Sequence, residues 1–237
     1  MRTDFGKEII FDGRDRIVQE DWNVYWSSQN KTSGKIYDGF ADFYRNNIIR
    51  PALNHFVFKH FDKNTTILHA GCGSGKVDTD IVNLYNLTAL DISYSALQIY
   101  ESVNPQKARL VQASIFATPF GDNSFDGIYN LGVMEHFTEE EIQLILLEFK
   151  RILKPGCKIV LFIPPVFGLT VQVLDMAHFI LNNLLKKNIK LHPDEITRVK
   201  SEFHIKKLIE DAGFQFVEYY FGSKDFFTQS VIVALKK

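Results

Sequence analysis

The sequence of 237 residues has little of several features that assign a protein quickly to a class. It has only two cysteines, Cys72 and Cys157, whose wide separation argues against a disulfide framework and a paired thiolate metal site. Its formal charge is −1, so no overall positive field attracts nucleic acid. No apolar run could span a bilayer, and the first residues lack the apolar core of a signal peptide. We expect a cytoplasmic protein with free thiols, no metal site and no nucleic-acid partner.

Apolar residues, by contrast, make up 46% of the chain and support a substantial core. From residue 65 onward, short β-prone runs alternate with helical patterns, which predicts a Rossmann-like, doubly wound α/β fold with a mostly parallel sheet. The predicted strands are 65–70, 87–92, 108–113, 125–131 and 158–163, and two closing runs, 214–221 and 230–235, predict an antiparallel hairpin. The predicted helices are 76–85, one capped by Ser93 or Ser95, one from Thr138 to a stop at Lys154-Pro155-Gly156, and 201–212.

The flanks of this core are less regular, and we interpret the chain as one domain with elaborations. Its parts are an N-terminal helical or lid segment (1–64), a cofactor-binding core (65–165), an insertion (166–200), and a last helix with the hairpin (201–237). The aromatic residues Trp22, Tyr25 and Trp26 either pack on the main domain or close over a site. Residues 36–61 have helical spacing, and Pro51 should kink or divide that helix. The insertion is a lid, pocket wall or dimer surface, or a buried helix, and contact of 166–190 with a membrane surface stays open, as does the oligomeric state.

Chemistry-bearing residues lie where the predicted strands end. Gly71, Gly73 and Gly75 follow the first strand, and the predicted helix after them would offer free backbone N–H groups to a ligand. Asp91 ends the second strand, where a carboxylate can accept hydrogen bonds from both hydroxyls of a ribose. Ser114 ends the third. Because ligands of open parallel sheets bind at the carboxyl ends of the strands, this spacing predicts a nucleoside-shaped site.

The glycine pattern narrows the choice of nucleoside. A dinucleotide fingerprint requires G-x-G-x-x-G, but here the third glycine comes one residue early and Lys76 follows it. A phosphate-binding P-loop requires glycine where Ala70 stands and serine or threonine where Val77 stands. The G-x-G-x-G turn is therefore compact and lacks the arrangement expected for a pyrophosphate.

In this pattern the chain resembles the class I S-adenosylmethionine-dependent methyltransferases of the small-molecule type. The matching pieces keep the family's order over residues 65–164: Ile67 to Gly75, Ala89 to Ser93, Thr118-Pro119-Phe120, Asn123 to Asp126, Leu131 to Phe137, and Leu153 to Gly156. The resemblance implies a seven-stranded sheet with an antiparallel last strand, S-adenosyl-L-methionine as the cofactor, and an in-line methyl transfer.

The resemblance also implies which residues bind the cofactor. They are His69, Ala70, Gly71, Cys72, Gly73, Asp91, Ile92, Ser114, Ile115, Asn130 and Leu131. Gly71, Cys72 and Gly73 would lie against the methionine part and the ribose. Asp91 would bind the ribose hydroxyls, while Ile92, Ser114 and Ile115 would surround the adenine. Asn130 and Leu131 would approach the cofactor's amino group through their backbone.

Two residues depart from the family's pattern. His69 stands where the family usually has an acidic residue at the methionine end, and it could donate to the cofactor carboxylate or simply pack. Ser114 stands where aspartate is often found, so its hydroxyl can accept a hydrogen bond from adenine only without charge. These changes leave open a second hypothesis, in which the chain binds the cofactor without catalysing a reaction.

The acceptor side is less defined by the sequence. His136 is the candidate general base, although Glu135 and His136 could equally be a structural pair. Tyr37, Tyr44 and Arg45 could line the acceptor pocket. The aromatic flanks favour a small-molecule acceptor, such as a metabolite or a lipid or glycan precursor, over a macromolecule, which remains the alternative.

Overall fold

Seven strands form one mixed sheet at the centre of the computed structural model, which describes residues 13–28, 42–168 and 195–237. The strands are β1 Thr66–Ala70, β2 Asn86–Asp91, β3 Arg109–Gln112, β4 Phe125–Leu131, β5 Leu153–Ile163, β6 Phe214–Tyr220 and β7 Ser230–Lys236. Their order is β3-β2-β1-β4-β5-β7-β6, and β7 runs antiparallel to both β5 and β6. The predicted fold class and the closing hairpin are therefore confirmed.

Five α-helices accompany the sheet within those ranges: α1 Gly13–Ser28, α2 Arg50–His60, α3 Tyr94–Val103, α4 Glu139–Ile152 and α5 Glu202–Asp211. The predicted caps are present. Ser93 accepts the N–H of Ala96 at the start of α3, and Thr138 and Glu141 form a reciprocal capping box at the start of α4. These caps place the ends of β2 and β4 beside helix starts on the same edge of the sheet.

Apolar layers cover both faces of the sheet, as its continuous hydrophobic strands require. On one face, Ile145 and Phe149 of α4 belong to the same buried cluster as Ile128 of β4. On the other face, Phe56 of α2 meets Phe162 of β5 in an edge-to-face contact with ring centroids 6.0 Å apart. The two layers leave the carboxyl edge of β1 to β4 as the place for a cleft.

The predicted helix over 76–85 is wrong. The segment consists of turns and one short 3₁₀ turn, Ile81–Asn83. Its β-branched residues and aspartates are weak helix formers, and the buried carboxylate of Asp78 is held by three side chains from other elements. No α-helix therefore begins after the glycine turn to offer its N–H groups to a ligand.

Two other predicted boundaries differ in part. The strand predicted over 158–163 begins earlier, at Leu153, because this buried residue pairs with Phe125 directly after α4 ends at Ile152. The helix predicted over 36–61 is helical from residue 42, the first described residue of that range. A π-helical turn, Arg45–Ile49, divides it from α2 just before Pro51, as the missing N–H of proline favours.

Much of the predicted insertion, residues 169–194, lies outside the described part of the chain. The ends that flank it meet, since the N–H of Val199 donates to the carbonyl of Pro164 over 3.0 Å and the N–H of Val166 donates to the carbonyl of Val199 over 3.0 Å. Within 13–28, 42–168 and 195–237, every helix is too short or too polar to cross a bilayer. The division of the chain into four parts, the cytoplasmic location and the membrane-surface contact stay predictions.

Candidate functional site

A cleft of about 350 Å³ lies at the carboxyl ends of β1 to β4, between the sheet and α1. Ten of the twelve predicted site residues line it: His69, Gly71, Cys72, Gly73, Asp91, Ile92, Ser114, Ile115, Leu131 and His136. They come from four strands that are distant in sequence, and the parallel pairing of β1 with β2 and β4 brings them together. This is the position at which open parallel sheets bind ligands.

The glycine turn after β1 requires glycine for both conformation and space. Gly71 and Gly73 have φ angles of +76° and +51°, which side chains with a Cβ rarely adopt. A Cβ at Gly71 would lie 2.4 Å from Cγ2 of Val133, and one at Gly73 would lie 2.8 Å from the indole of Trp26. The missing side chains therefore let Val133 and Trp26 pack directly against the turn at the cleft wall.

Asp91 at the end of β2 links this turn to the start of α3. Its Oδ2 accepts the N–H of Gly73 over 2.8 Å, and its Oδ1 accepts the N–H of Ser93 over 2.9 Å. Burial raises the pKa of the Asp91 carboxyl, while these backbone donors act in the opposite direction. A carboxylate has about four acceptor sites, so Asp91 keeps acceptor capacity beyond these backbone hydrogen bonds.

His69, one residue before the end of β1, takes part in a buried network that the sequence did not reveal. Its Nδ1 lies 2.7 Å from Oδ2 of Asp78. The hydroxyl of Tyr100 donates to the same oxygen over 2.9 Å, and the hydroxyl of Tyr129 donates to Oδ1 over 2.9 Å. Burial and the charge of Asp78 raise the pKa of both hydroxyls well above the usual range, which keeps them as donors at neutral pH. His69 is thereby fixed at the cleft wall.

Cys72 lies in the glycine turn with its thiol buried against Gly73. Burial, together with the carboxylates of Asp91 and Asp78, raises the pKa of this thiol well above its usual range. The thiolate is the reactive form of cysteine, so this position does not suit a nucleophile. Cys72 serves the cleft as a small apolar surface.

The ends of β2 and β3 form an apolar wall that would suit a flat ring. Ile92 and Ile115 line it, together with Phe116, which sequence reasoning had not included. Ser114 is buried, and its hydroxyl accepts the N–H of Phe116 over 3.3 Å, which helps to shape the loop after β3.

Ala70 and Asn130 lie behind the cleft wall. Both are fully buried, and the side-chain amide of Asn130 donates to the carbonyl of Ala70 over 2.6 Å. This hydrogen bond joins the ends of β1 and β4, so the two residues hold the glycine turn and Leu131 next to each other.

Helix α1 crosses the cleft and is attached on both sides. Near its start, Arg14 forms an ion pair with Glu141 of α4 over 2.6 Å. Further along, the amide oxygen of Asn23 accepts the hydroxyl of Ser93 over 2.7 Å. Between these attachments Trp22 packs edge-on against the ring of His136, with centroids 5.1 Å apart. The aromatic residues of α1 thus do what both sequence interpretations proposed, because they pack on the domain and cover the cleft.

The 3₁₀ turn Met134–His136 after β4 brings a second carboxyl group to the cleft. Glu135 is buried, and its Oε2 has no hydrogen-bond partner among the residues that the structure describes. Burial raises the pKa of Glu135 to about 8. Its backbone carbonyl accepts the N–H groups of Ile196 and Thr197 over 2.6 and 3.0 Å, which ties the end of the insertion to this turn.

The remaining wall is formed by residues before and after the core. Tyr44 and Arg45 line the cleft as the sequence suggested, whereas Tyr37 lies outside the described residues. Glu195 and Gln229 also line it, and sequence reasoning missed both, because neither belongs to a recognisable motif. Asp78 was missed as well, since its segment was predicted to be a helix and carries no recognisable motif.

Comparison with protein families gives a match in the same part of the chain. A family model described as a methyltransferase domain matches residues 68–161, which include the glycine turn, Asp91 and His136. The match covers the sheet from β1 to most of β5 and omits α1, α2 and the hairpin.

Curated relatives match a similar part. The ubiquinone/menaquinone biosynthesis C-methyltransferase UbiE of Escherichia fergusonii is 32% identical over 126 residues, which cover 46% of this chain and 47% of that protein. The O-methyltransferase cnsE of Penicillium expansum is 29% identical over 102 residues, covering 40% of this chain and 36% of that protein. The matches thus span less than half the length of these relatives.

Solved structures agree over most of the fold. The magnesium protoporphyrin IX methyltransferase ChlM of Synechocystis, with bound S-adenosylhomocysteine, covers 93% of this chain and 99% of its own, with a TM-score of 0.63 and 16% identity. At such identity the likeness concerns the fold. Together with the family match, it confirms the resemblance that the sequence motifs indicated.

Proposed function

We propose that this chain is an S-adenosyl-L-methionine-dependent methyltransferase acting on a small organic acceptor, because residues 68–161 match a methyltransferase-domain model and the sheet has the order β3-β2-β1-β4-β5-β7-β6. The observation that carries the proposal is the junction of β1 and β2, where the bare glycine turn and Asp91 meet through the 2.8 Å hydrogen bond from Gly73. This junction offers backbone for the cofactor's chain and a carboxylate for its ribose.

The residues present fit this cofactor. Asp91 retains acceptor sites for the ribose hydroxyls, and Ile92, Ile115 and Phe116 provide an apolar wall for the adenine. Gly71 and Gly73 line the cleft where the resemblance expects the part of the ligand between ribose and amino acid. When bound, S-adenosylmethionine supplies an electrophilic methyl group on its sulfonium. The chain contributes binding and orientation, and alignment of reactants is worth roughly 7–11 kcal/mol in favourable cases.

The acceptor side supports a small, ring-bearing or largely apolar substrate. Trp22 and Tyr25 from α1, Tyr44, and Val133 form much of the wall there. The volume of the cleft, about 350 Å³, lies within the range of small-molecule sites, and α1 lines one side of it. The names of two similar proteins also support a ring-bearing acceptor, since UbiE is named for ubiquinone/menaquinone biosynthesis and ChlM for magnesium protoporphyrin IX.

An acceptor that arrives protonated must lose its proton. We propose that a side chain of the turn Met134–His136 accepts this proton. His136 remains the candidate from the sequence, with its ring held against Trp22. Glu135 is the second candidate because its buried Oε2 has no partner among the described residues and its pKa lies near the working range of a general base. Comparing Glu135→Gln with His136→Gln in single-turnover transfer would identify which of the two takes the proton.

Calorimetry and labelled transfer together test the proposal. We expect wild-type protein to bind S-adenosylmethionine and S-adenosylhomocysteine, and Asp91→Ala to bind both more weakly. With methyl-labelled cofactor and a fractionated metabolite extract, we expect label in the small-molecule fraction. Failure to bind either compound would overturn the cofactor assignment. Binding without any transfer would support a non-catalytic protein, and label in protein or nucleic acid would replace the proposed acceptor class.

A further inference from the structure

Nε2 of His69 stands out in the cleft wall as a polar atom without a partner. The side chain is buried, the residue lines the cleft, and Nε2 has no hydrogen-bond partner among the residues described by the structure. An unsatisfied buried polar group costs about 1–3 kcal/mol, so such groups usually have a ligand or water in the functional state. The other ring nitrogen is already engaged, which leaves Nε2 for a ligand.

The ring of His69 cannot turn to find another partner. Nδ1 lies 2.7 Å from the carboxylate of Asp78, which also accepts the hydroxyls of Tyr100 and Tyr129. The imidazole also stacks on the ring of Tyr129, with centroids 4.3 Å apart and an angle of 25° between the planes. Contacts from β4, α3 and the segment after the glycine turn thus orient one small ring, which is a construction typical of a binding residue.

The network also determines what Nε2 can bind. Asp78 receives two hydroxyl donors and acts as an acceptor, so Nδ1 of His69 carries the hydrogen that points to it. In the neutral imidazole, Nε2 is then an acceptor, and its partner must be a donor. The same logic orients histidines that are held by a carboxylate in other proteins.

We infer that Nε2 of His69 accepts a hydrogen bond from the α-ammonium group of bound S-adenosylmethionine, with Asp78 as the positioning residue that fixes the ring. This inference rests on the proposed function. His69 precedes the glycine turn by two residues, and the resemblance assigns the methionine end of the cofactor to this turn. His69 then supplies the acceptor that an acidic residue would supply directly. The negative charge lies behind it, on Asp78, which contacts Nδ1 of His69.

Ligands with and without the α-amino group test this contact. We would titrate wild-type protein by calorimetry with S-adenosylhomocysteine, with its analogue lacking the α-amino group, and with 5′-methylthioadenosine, which lacks the amino-acid part. We expect wild-type protein to prefer S-adenosylhomocysteine over the desamino analogue by about tenfold or more, as for a hydrogen bond to a charged group.

Variants separate this contact from general damage to the site. His69→Leu should bind S-adenosylhomocysteine about tenfold more weakly and lose the preference over the desamino analogue, while its affinity for 5′-methylthioadenosine changes less than twofold. His69→Gln keeps an acceptor and should retain part of the preference. Asp78→Asn should reduce the preference through misorientation of the ring. A preference that is unchanged in His69→Leu would overturn the inference.

Nitrogen NMR of wild-type protein gives a readout that does not depend on any variant's folding. We expect His69 to be the tautomer with hydrogen on Nδ1, and its Nε2 resonance to shift with S-adenosylhomocysteine but not with the desamino analogue. Hydrogen on Nε2 in the complex would overturn the inference. If wild-type protein bound neither S-adenosylhomocysteine nor 5′-methylthioadenosine, the proposed function itself would fail, whereas binding of both without discrimination at the amino group would remove only the role of His69.

Discussion

Two buried carboxyl groups near the cleft, Asp78 and Glu135, have opposite surroundings. Both oxygens of Asp78 accept hydrogen bonds, from the hydroxyls of Tyr100 and Tyr129 and from His69. Oε2 of Glu135 has no such donor in the described part of the chain, and burial raises the pKa of this group to about 8. The difference shows that burial alone does not define a role. Three side-chain hydrogen bonds make the first carboxylate part of the framework, whereas burial, which outweighs the one backbone donor, raises the pKa of the second into the neutral range.

Of the substitutions considered, removal of the Asp78 carboxylate should reduce the stability of the protein most. Asp78→Ala leaves two tyrosine hydroxyls and Nδ1 of His69 buried without their acceptor, so we expect the free energy of unfolding to fall by about 3–5 kcal/mol. Urea denaturation would measure it. The matched control is Asp80→Ala, because Asp80 is half-exposed beside Arg50 and should cost less than about 1 kcal/mol. Equal losses of stability in both variants would mean that the hydrogen bonds to Asp78 do not stabilise the fold more than a surface carboxylate does.

Glu135 should reveal itself through the pH dependence of stability. Its pKa is about 8 in the folded protein against 4.5 for the exposed group, so the folded state binds more protons between these values. Its contribution is therefore complete below pH 4.5 and is lost as pH rises toward 8, at about 1.4 kcal/mol per unit of pKa shift. Glu135→Gln should flatten this slope and leave the protein a few kcal/mol more stable than wild type at pH 8.5.

Glu139 provides the control of opposite sign for that measurement. Hydrogen bonds from Lys200 and His204 lower the pKa of Glu139, so its contribution is present at neutral pH and lost in acid. Glu139→Gln should therefore alter the stability difference between neutral and acid pH in the opposite sense. A Glu135→Gln curve parallel to that of wild type would contradict the raised pKa.

Asp91 is intermediate between Asp78 and Glu135 in its hydrogen bonding. Backbone donors hold both of its oxygens, and the carboxylate keeps acceptor capacity beyond them. Asp91→Ala should weaken the binding of S-adenosylhomocysteine by about 1–3 kcal/mol, the cost of a lost charged hydrogen-bond partner. Calorimetry measures this directly. Asp126→Ala is the control, since Asp126 lies at the start of β4, at the other edge of the sheet, and should not change the affinity. Unchanged affinity in Asp91→Ala would mean that the ribose lies elsewhere.

The smallest expected change in stability follows from removing the ion pair between Arg14 and Glu141. Arg14 pairs with Glu141 where both side chains are partly exposed, so Arg14→Ala should cost less than about 1 kcal/mol of stability. Arg16→Ala, which removes a more exposed pair with Glu20, is the comparison. A loss of several kcal/mol in Arg14→Ala would show that α1 is held more strongly than its surface contacts indicate.

The sequence was informative where local chemistry and tertiary context agree. Thr138 and Glu141 form the predicted capping box because both partners lie within one helical turn. The predicted strand 125–131 is observed without change because its β-prone residues Phe125, Ile128 and Tyr129 are buried in the sheet. The position of Asp91 at the cleft followed from counting strand ends in a parallel sheet.

The sequence failed where a side chain from one element is fixed by others. The segment of Asp78 was predicted to be a helix, but hydrogen bonds from β1, α3 and β4 hold it in turns. The partners are separated by up to 51 residues, so no local pattern connects them. Glu195 and Gln229 reach the cleft in the same way, through the return of the chain after β5 and between β6 and β7.

By itself, the sequence determined the α/β class, the order of the strands from β1 onward, the glycine turn and the acidic residue opposite it. These depend on hydrophobic periodicity, capping residues and the conformational freedom of glycine, which act over a few residues. Only the tertiary structure decided that His69 is oriented by Asp78, that Glu135 is buried, and that α1 crosses the cleft. Those outcomes depend on burial and on hydrogen bonds between distant segments, and it is the packing of the whole sheet with its helices that sets them.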